Sequence, residues 1–316
     1  VDTTAQPRTT ATPDPTRPPS NPVDLVCVSY LAVAQILTVP RYPAADRDIE
    51  ATERRTALAA DGPLVAQIAR LLGLRTGLIT NPVGDDTDGN ALLHRLTAAG
   101  ITHRIPTWSG LPTPHLTVIT DQAGTRTTFA HLAGATALLP ATDLTLLTHT
   151  PLIYLDGYHH MATATAQILR TLADRDRPQI VLNLGGDPPH PDLIAAAQHT
   201  RPTMIQTSLR TSLPRATVFA RTLATRLPTD TVVVTCGPAG AVAVHSPTST
   251  QHHAPAPSVP VGHTYGVGAA FSAGYLTSLT QHPDDISTAL RLGVSTATAH
   301  VTRTGTPAPA YSALTP

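Results

Sequence analysis

The chain has 316 residues, and 21 Lys/Arg cancel 21 Asp/Glu to a formal net charge of zero. That balance argues against non-specific binding to nucleic acid or anionic membranes, which needs a basic surplus. The sequence contains no lysine, which excludes P-loop nucleotidases, protein kinases and pyridoxal-phosphate enzymes, each built around one. Codon usage in a G+C-rich genome accounts for the bias most simply. Hydrophobic residues make up 41% but aromatics only 3%, so the core must be built from Ala, Val, Leu and Ile. Cys27 and Cys236 form no CxxC pair, which indicates neither a disulfide framework nor a zinc cluster. There is no apolar run near the ~18 residues of a membrane span and no basic-then-apolar leader pattern. The expected location is the cytoplasm.

Residues 1–22 are Thr/Pro-rich with almost no large apolar side chain, a composition that predicts disorder. Order is expected from Asp24-Leu-Val-Cys-Val28, a short buried strand. Residues 64–72 have helical spacing, 75–80 read as a strand and 91–99 as a helix closed by Gly100. Two strands, 116–120 and 125–130, flank a turn at Asp121–Gly124. Short strands at 153–155 and 180–182 are separated by a helix around 162–174. Strands at 231–235 and 241–245 are joined by Cys-Gly-Pro-Ala-Gly, and helices at 269–279 and 286–303 follow. Alternating strands and helices predict a mostly parallel sheet covered on both faces, with hairpins left for a smaller sheet.

The chemistry is expected at His263-Thr-Tyr-Gly-Val-Gly-Ala-Ala-Phe-Ser-Ala-Gly-Tyr275. Two glycines open a loop that runs into an apolar helix, whose unpaired N–H groups and dipole would favour an anion such as phosphate. The bland alternative is a tight loop that needs small residues.

Thr264-Tyr-Gly-Val-Gly-Ala-Ala-Phe resembles the DTxGAGDxF signature of the ribokinase/PfkB family of sugar and nucleoside kinases. Val232-Val-Val-Thr-Cys-Gly-Pro-Ala-Gly-Ala-Val-Ala-Val244 resembles its strand–TxGxxG–strand beside the nucleotide. Residues 72–89 resemble its LG…GxVGxDxxG segment, and Gly124 falls in the hairpin of its lid. The matches run in family order over about residues 23–306.

The resemblance implies an α/β fold: a ribokinase-like three-layer core with a mostly parallel twisted sheet and a small β lid. One domain would cover 23–316, with lid segments at about 34–58 and 105–133. It also implies ATP as donor, Mg²⁺, and often a homodimer formed through the lid. In the implied mechanism an Asp takes the acceptor proton while backbone amides hold the transferring phosphoryl group. The nucleotide-side positions are present: Thr235, Gly237, Gly240, Gly266, Val267 and Gly268.

The catalytic positions depart from the pattern. The family's catalytic Asp falls on Ala269, and the signature's leading Asp on His263. The acid that grips sugar hydroxyls falls on Ala34, and the GGxxxN motif on Ala59-Ala-Asp-Gly-Pro-Leu64. The NxxE motif tied to Mg²⁺ falls on Thr207-Ser-Leu-Arg210, which makes the metal doubtful. Substitutes are then sought among other residues. His263 would titrate near cellular pH or simply hydrogen-bond within its loop. His159 and His160 follow a strand at the sheet edge that faces ligands. Arg210 is either a phosphate partner or an ordinary surface residue. His252-His253 reads as a solvated loop, and Asp85-Asp86 as a turn-stabilising pair.

Three functions compete. The chain keeps a nucleotide or phosphate site while phosphotransfer is lost or replaced; it is an active ATP-dependent kinase of a small molecule with a substitute base; or it is a pseudokinase that acts through partner contacts. The expected ligand in all three is a small phosphorylated or nucleoside-like molecule.

Overall fold

A computed structural model describes residues 23–121, 124–173, 178–262 and 264–303; the expected tail at 1–22 lies outside them. The first half of the chain runs β1 (Leu25–Val28), β2 (Ala32–Val39), β3 (Glu53–Ala59), α1 (Asp61–Leu71), β4 (Thr76–Ile79), β5 (Val83–Gly84), α2 (Thr87–Ala98), β6 (Thr102–His103), β7 (Thr107–Trp108), β8 (His115–Asp121) and β9 (Arg126–His131). The second half runs β10 (Leu152–Asp156), α3 (Ala162–Thr171), β11 (Gln179–Asn183), α4 (Pro191–Thr200), β12 (Met204–Ser208), α5 (Leu213–Arg226), β13 (Thr231–Thr235), β14 (Ala241–His245), β15 (Thr250–Ala254), α6 (Val267–Gln281) and α7 (Ile286–Val301).

Nine strands form the main sheet in the order β15-β14-β13-β12-β11-β10-β1-β4-β6. The pairs from β13 through β6 are parallel, and β14 and β15 add an antiparallel edge. The central strands are apolar on both faces, as β1 shows. Val26 and Val28 enter one core with Ile153 and Ile180, while Leu25 and Cys27 enter the other with Leu78 and Ala270. A strand covered on both sides reads as a continuous apolar run, which is why Leu25–Val28 and Thr231–Thr235 are visible in sequence. Aromatic side chains are nearly absent from these cores; Tyr154 and Tyr275 are the largest of the fully buried ones.

A second sheet, β3-β2-β8-β9, forms the lid. The expected hairpin at 116–130 is its β8–β9 arm. Its other arm, β2–β3, gave little signal, because β3 (Glu-Arg-Arg-Thr-Ala-Leu-Ala) is polar and largely exposed along its outer half. His252-His253 proves to be strand rather than loop: both lie in β15, and His253 Nε2 pairs with Thr217 Oγ1 on α5 at 3.0 Å. Asp86 takes the turn-stabilising part expected of it, capping α2. It accepts from Gly89 N (2.7 Å), Thr113 N (3.0 Å) and Thr113 Oγ1 (2.6 Å).

The lid is continuous with α1 through Ala60, and this junction is strained. Ala60 has φ 78° and ψ 160°, a region that is almost exclusive to glycine and costs about 1–3 kcal/mol for other residues. Replacing Ala60 by Gly relieves that strain but adds about 0.4–1 kcal/mol of unfolded-state entropy. The expected net effect is a stabilisation of about 1 kcal/mol, read as a higher urea midpoint at unchanged m-value. A lower midpoint would mean that the junction is not strained.

Candidate functional site

Parallel strands put their carboxyl ends on one edge, where ligands bind in open α/β sheets. Here the register sets Val28 beside Leu155 and Asp156 beside Asn183, so Ser29, Asp156 and Asn183 stand in a row as the strands end. Asp156 is fully buried. Its Oδ2 accepts from the Ser29 hydroxyl and from the backbone N–H of Gly62 (3.1 Å) in the first turn of α1. A carboxylate suits a helix N-terminus, where unpaired N–H groups and the dipole attract negative charge. Gly62 is required by proximity, because any side-chain carbon there would collide with Ser29 Cβ.

A second carboxylate lies beside the first. Asp61 begins α1, and its Oδ2 accepts from the Tyr158 hydroxyl and from Asn183 Nδ2 (3.3 Å). Asn183 Nδ2 also donates to Tyr154 Oη at 2.7 Å, linking Asp61 to Tyr154 through Asn183. Burial, followed by the charge of Asp61, pushes the Asp156 carboxyl up to about 7, against the bonds from Ser29 and Gly62. Burial also raises the Asp61 carboxyl, opposed by Tyr158, Arg126 and Asn183. Asp156 Oδ1 is buried without a hydrogen-bond partner.

The N-terminus of α6 lies beside Asp61. Gly266 caps α6 in the left-handed region (φ 81°), and the first helical bond runs from Ala270 N to Gly266 O (2.9 Å). The N–H groups of Val267 and Gly268 therefore lie outside the helical ladder. Val267 is half-buried and Gly268 exposed, whereas Ala269 is fully buried against the core. A side-chain carbon built on Gly268 would lie 4.0 Å from Asp61 Oδ2. The α6 terminus is held from several sides. His300 Nε2 bonds Tyr265 O at 2.8 Å, and burial pushes this imidazole down to about 4, so it is neutral and donates. Ser272 Oγ meets Gly268 O at 3.1 Å and Gln206 Nε2 at 2.8 Å. The lid latches onto the same loop: Arg126 Nη1 donates to Thr264 O (3.4 Å), and the Tyr265 hydroxyl donates to Leu58 O (2.9 Å).

The other expected residues distribute as follows. Thr235 ends β13, and Cys236–Gly240 form a tight turn in which Cys236 N bonds Gly240 O at 2.7 Å. Gly240 has φ 104°, and a side chain there would collide with Ala254 O. Gly237, also at positive φ (56°), opens the short 3₁₀ turn. Burial raises the Cys236 thiol, which fits a packed residue better than a nucleophile. His160 packs edge-on to Tyr30 (4.9 Å) and near Tyr158, joining the aromatic wall beside Asp61; His159 instead meets His190 (5.5 Å). Arg210 is exposed in the loop after β12. His263 lies outside the described residues. Among those residues, no group of three or more His, Cys, Asp or Glu is arranged to hold a metal, and no helix is long and apolar enough to cross a membrane.

Sequence reasoning passed over Asp61, Asp156, Tyr158 and Asn183. The available signal was Leu-Ile-Tyr-Leu-Asp156, an apolar strand that ends in an acid at the ligand-facing edge.

A parallel sheet between helical layers, with a β lid latched to a glycine-capped helix terminus, defines a ribokinase-like fold. A family model described as the pfkB family of carbohydrate kinases matches residues 24–312, and the chain belongs to that family. Its fold matches a candidate ribokinase from Agrobacterium tumefaciens (TM-score 0.77, 20% identity, 93% of this chain and 96% of that one). It also matches adenosine kinase from Sinorhizobium meliloti (0.75, 17%, 93% and 98%). Arabidopsis thaliana ribokinase, solved with ribose and ATP, matches similarly (0.74, 16%, 92% and 97%). At these identities the likeness is one of fold. No curated protein matches the chain by sequence.

The raised carboxyl gives a testable pH dependence. An unfolded Asp titrates near 3.9 and folded Asp156 at about 7, so the folded state holds the proton more tightly. Its stabilising contribution is full below about pH 4 and is lost as pH rises through about 7. Urea unfolding at about pH 5 and about pH 8 should show wild type losing stability relative to Asp156→Asn at the higher pH. A pH-independent difference would place Asp156 at an ordinary carboxylate value.

Proposed function

We propose that this PfkB-family chain binds a nucleotide or phosphorylated ligand at the α6 terminus, and that the family's own proton acceptor is missing there. The observation that carries the reading is the open N-terminus of α6. Val267 and Gly268 offer N–H groups outside the ladder, and Gly266 holds the turn. A phosphate is the natural occupant of such a terminus. The turn from Thr235 to Gly240 would border the nucleotide on its other side, as the family resemblance implies.

Ala269, at the resembling position of the catalytic Asp, presents a methyl group and is fully buried. Loss of a general base typically costs about 10²–10⁴-fold in rate, so phosphoryl transfer by the family's usual arrangement is lost or replaced. The segment expected to handle Mg²⁺, Thr207–Arg210, carries no carboxylate, so no step is assigned to the ion. A second reading, an active small-molecule kinase with a substitute base, is favoured by Asp61 beside Gly268. The pseudokinase reading, with lid pairing between copies, has no comparable observation behind it.

ADP or ATP should raise the melting temperature; a nucleotide at 100 times its dissociation constant stabilises by about 2.7 kcal/mol. Ala269→Asp should keep this shift and release at least as much ADP from ATP as wild type in the presence of sugars and nucleosides. The absence of any thermal shift with either nucleotide would overturn the nucleotide-site reading.

A further inference from the structure

Asp61 has four properties that are hard to reconcile with a helix-starting residue alone. It follows Ala60, whose backbone occupies a glycine-like conformation, and strain of this kind tends to persist where the surroundings over-determine it. Both of its hydrogen bonds, from Tyr158 and Asn183, fall on Oδ2, which leaves Oδ1 with no hydrogen bond among the described residues. Its Oδ2 sits 4.0 Å from where a side chain on Gly268 would begin, next to the position at which Ala269 offers nothing. Beside it lies Asp156, fully buried, with an unpartnered Oδ1.

We infer that Asp61 is the proton acceptor of the α6 site, reached from α1 instead of α6; the inference rests on the nucleotide-binding reading above. The acceptor is an alcohol whose hydroxyl lies between Asp61 and the exposed first turn of α6. Its proton passes to the Asp61 carboxylate as its oxygen forms a bond to the γ-phosphorus of a nucleoside triphosphate. The bond from that phosphorus to the β–γ bridging oxygen breaks, and the nucleoside diphosphate leaves with the electron pair. Tyr158 and Asn183 position the carboxylate by holding its Oδ2. Burial raises its proton affinity, opposed by the Tyr158 bond, by Arg126 on the latched lid and by the Asn183 bond. The titratable and charged groups that face Asp61 from the packed elements are therefore Asp156, Tyr154, Tyr158, Tyr30, Tyr265 and Arg126.

The experiment measures ADP release from ATP–Mg²⁺ across pH, with sugars, nucleosides, simple alcohols and water as acceptors, and ADP binding by thermal shift in parallel. Asp61→Asn, which is nearly isosteric, is expected to bind ADP like wild type and to lose at least about 100-fold in turnover. The acidic limb of the pH profile should disappear with it, a change that a purely structural role would not produce. Adding Ala269→Asp to Asp61→Asn should recover part of the rate. If Asp61→Asn does not fold, Tyr158→Phe serves instead: it removes a donor that lowers the Asp61 carboxyl, so the acidic limb should move to higher pH and kcat should fall. Turnover within a few-fold of wild type in Asp61→Asn, or an unmoved limb in Tyr158→Phe, overturns the assignment. So does a wild-type chain that binds ADP yet releases none with any acceptor, while leaving the nucleotide site intact. A wild-type chain that does not bind ADP overturns both.

Discussion

A carboxyl group sealed at the end of β10 holds three parts of the chain in one arrangement. Asp156 takes the Ser29 hydroxyl from the end of β1 and the Gly62 N–H from the start of α1, and its own carbonyl accepts from Thr165 Oγ1 on α3 (2.5 Å). No solvent reaches it, and a buried carboxyl is costly unless hydrogen bonds or protonation compensate. Here both operate, through the bonds on Oδ2 and the raised proton affinity. Because α1 is fixed at its first turn, Asp61 is fixed as well. The lid strand β3, one residue away through Ala60, inherits the same constraint.

The fold was legible because its signals are physical and local. Leu25–Val28, Leu152–Leu155 and Thr231–Val234 are apolar on both faces, as strands between two helical layers must be. The glycines 266 and 268 before an apolar helix announced its start. Elements with weaker patterns were passed over: β3 is polar because the lid face is open to solvent, and α5 carries Arg215, Arg221, Thr222, Thr225 and Arg226 on its outer side. The antiparallel strand β15 read as loop because its residues, Thr-Gln-His-His-Ala, are mostly polar.

The candidate site was legible only in part. Gly237, Gly240 and Gly266 were legible because a backbone needs small residues wherever it approaches closely or turns at positive φ. The carboxylates were missed for the opposite reason. Asp61 and Asp156 lie 95 positions apart in the sequence, and only the parallel register of β10 and β11 beside the start of α1 brings them together. Asp61 drew no reading beyond its place in the Ala59–Leu64 segment matched to the GGxxxN motif, and Asp156 drew none. The histidines attracted attention through their number, yet His160 packs in an aromatic wall and His300 is held neutral behind Gly266. Shared fold thus says little about chemistry. The PfkB scaffold here carries Asp156 and Asn183 at the carboxyl ends of β10 and β11, beside Asp61 at the start of α1.

The most direct measurement is a ¹³C NMR titration of the aspartate side-chain carboxyls, assigned by substitution, in the ligand-free protein. Two linked transitions displaced above the ordinary aspartate range are expected for Asp61 and Asp156. Substituting either residue should move its partner's midpoint downward, because each loses a neighbouring negative charge. Two independent transitions near the usual value, indifferent to one another, would show that the carboxylates do not form a pair.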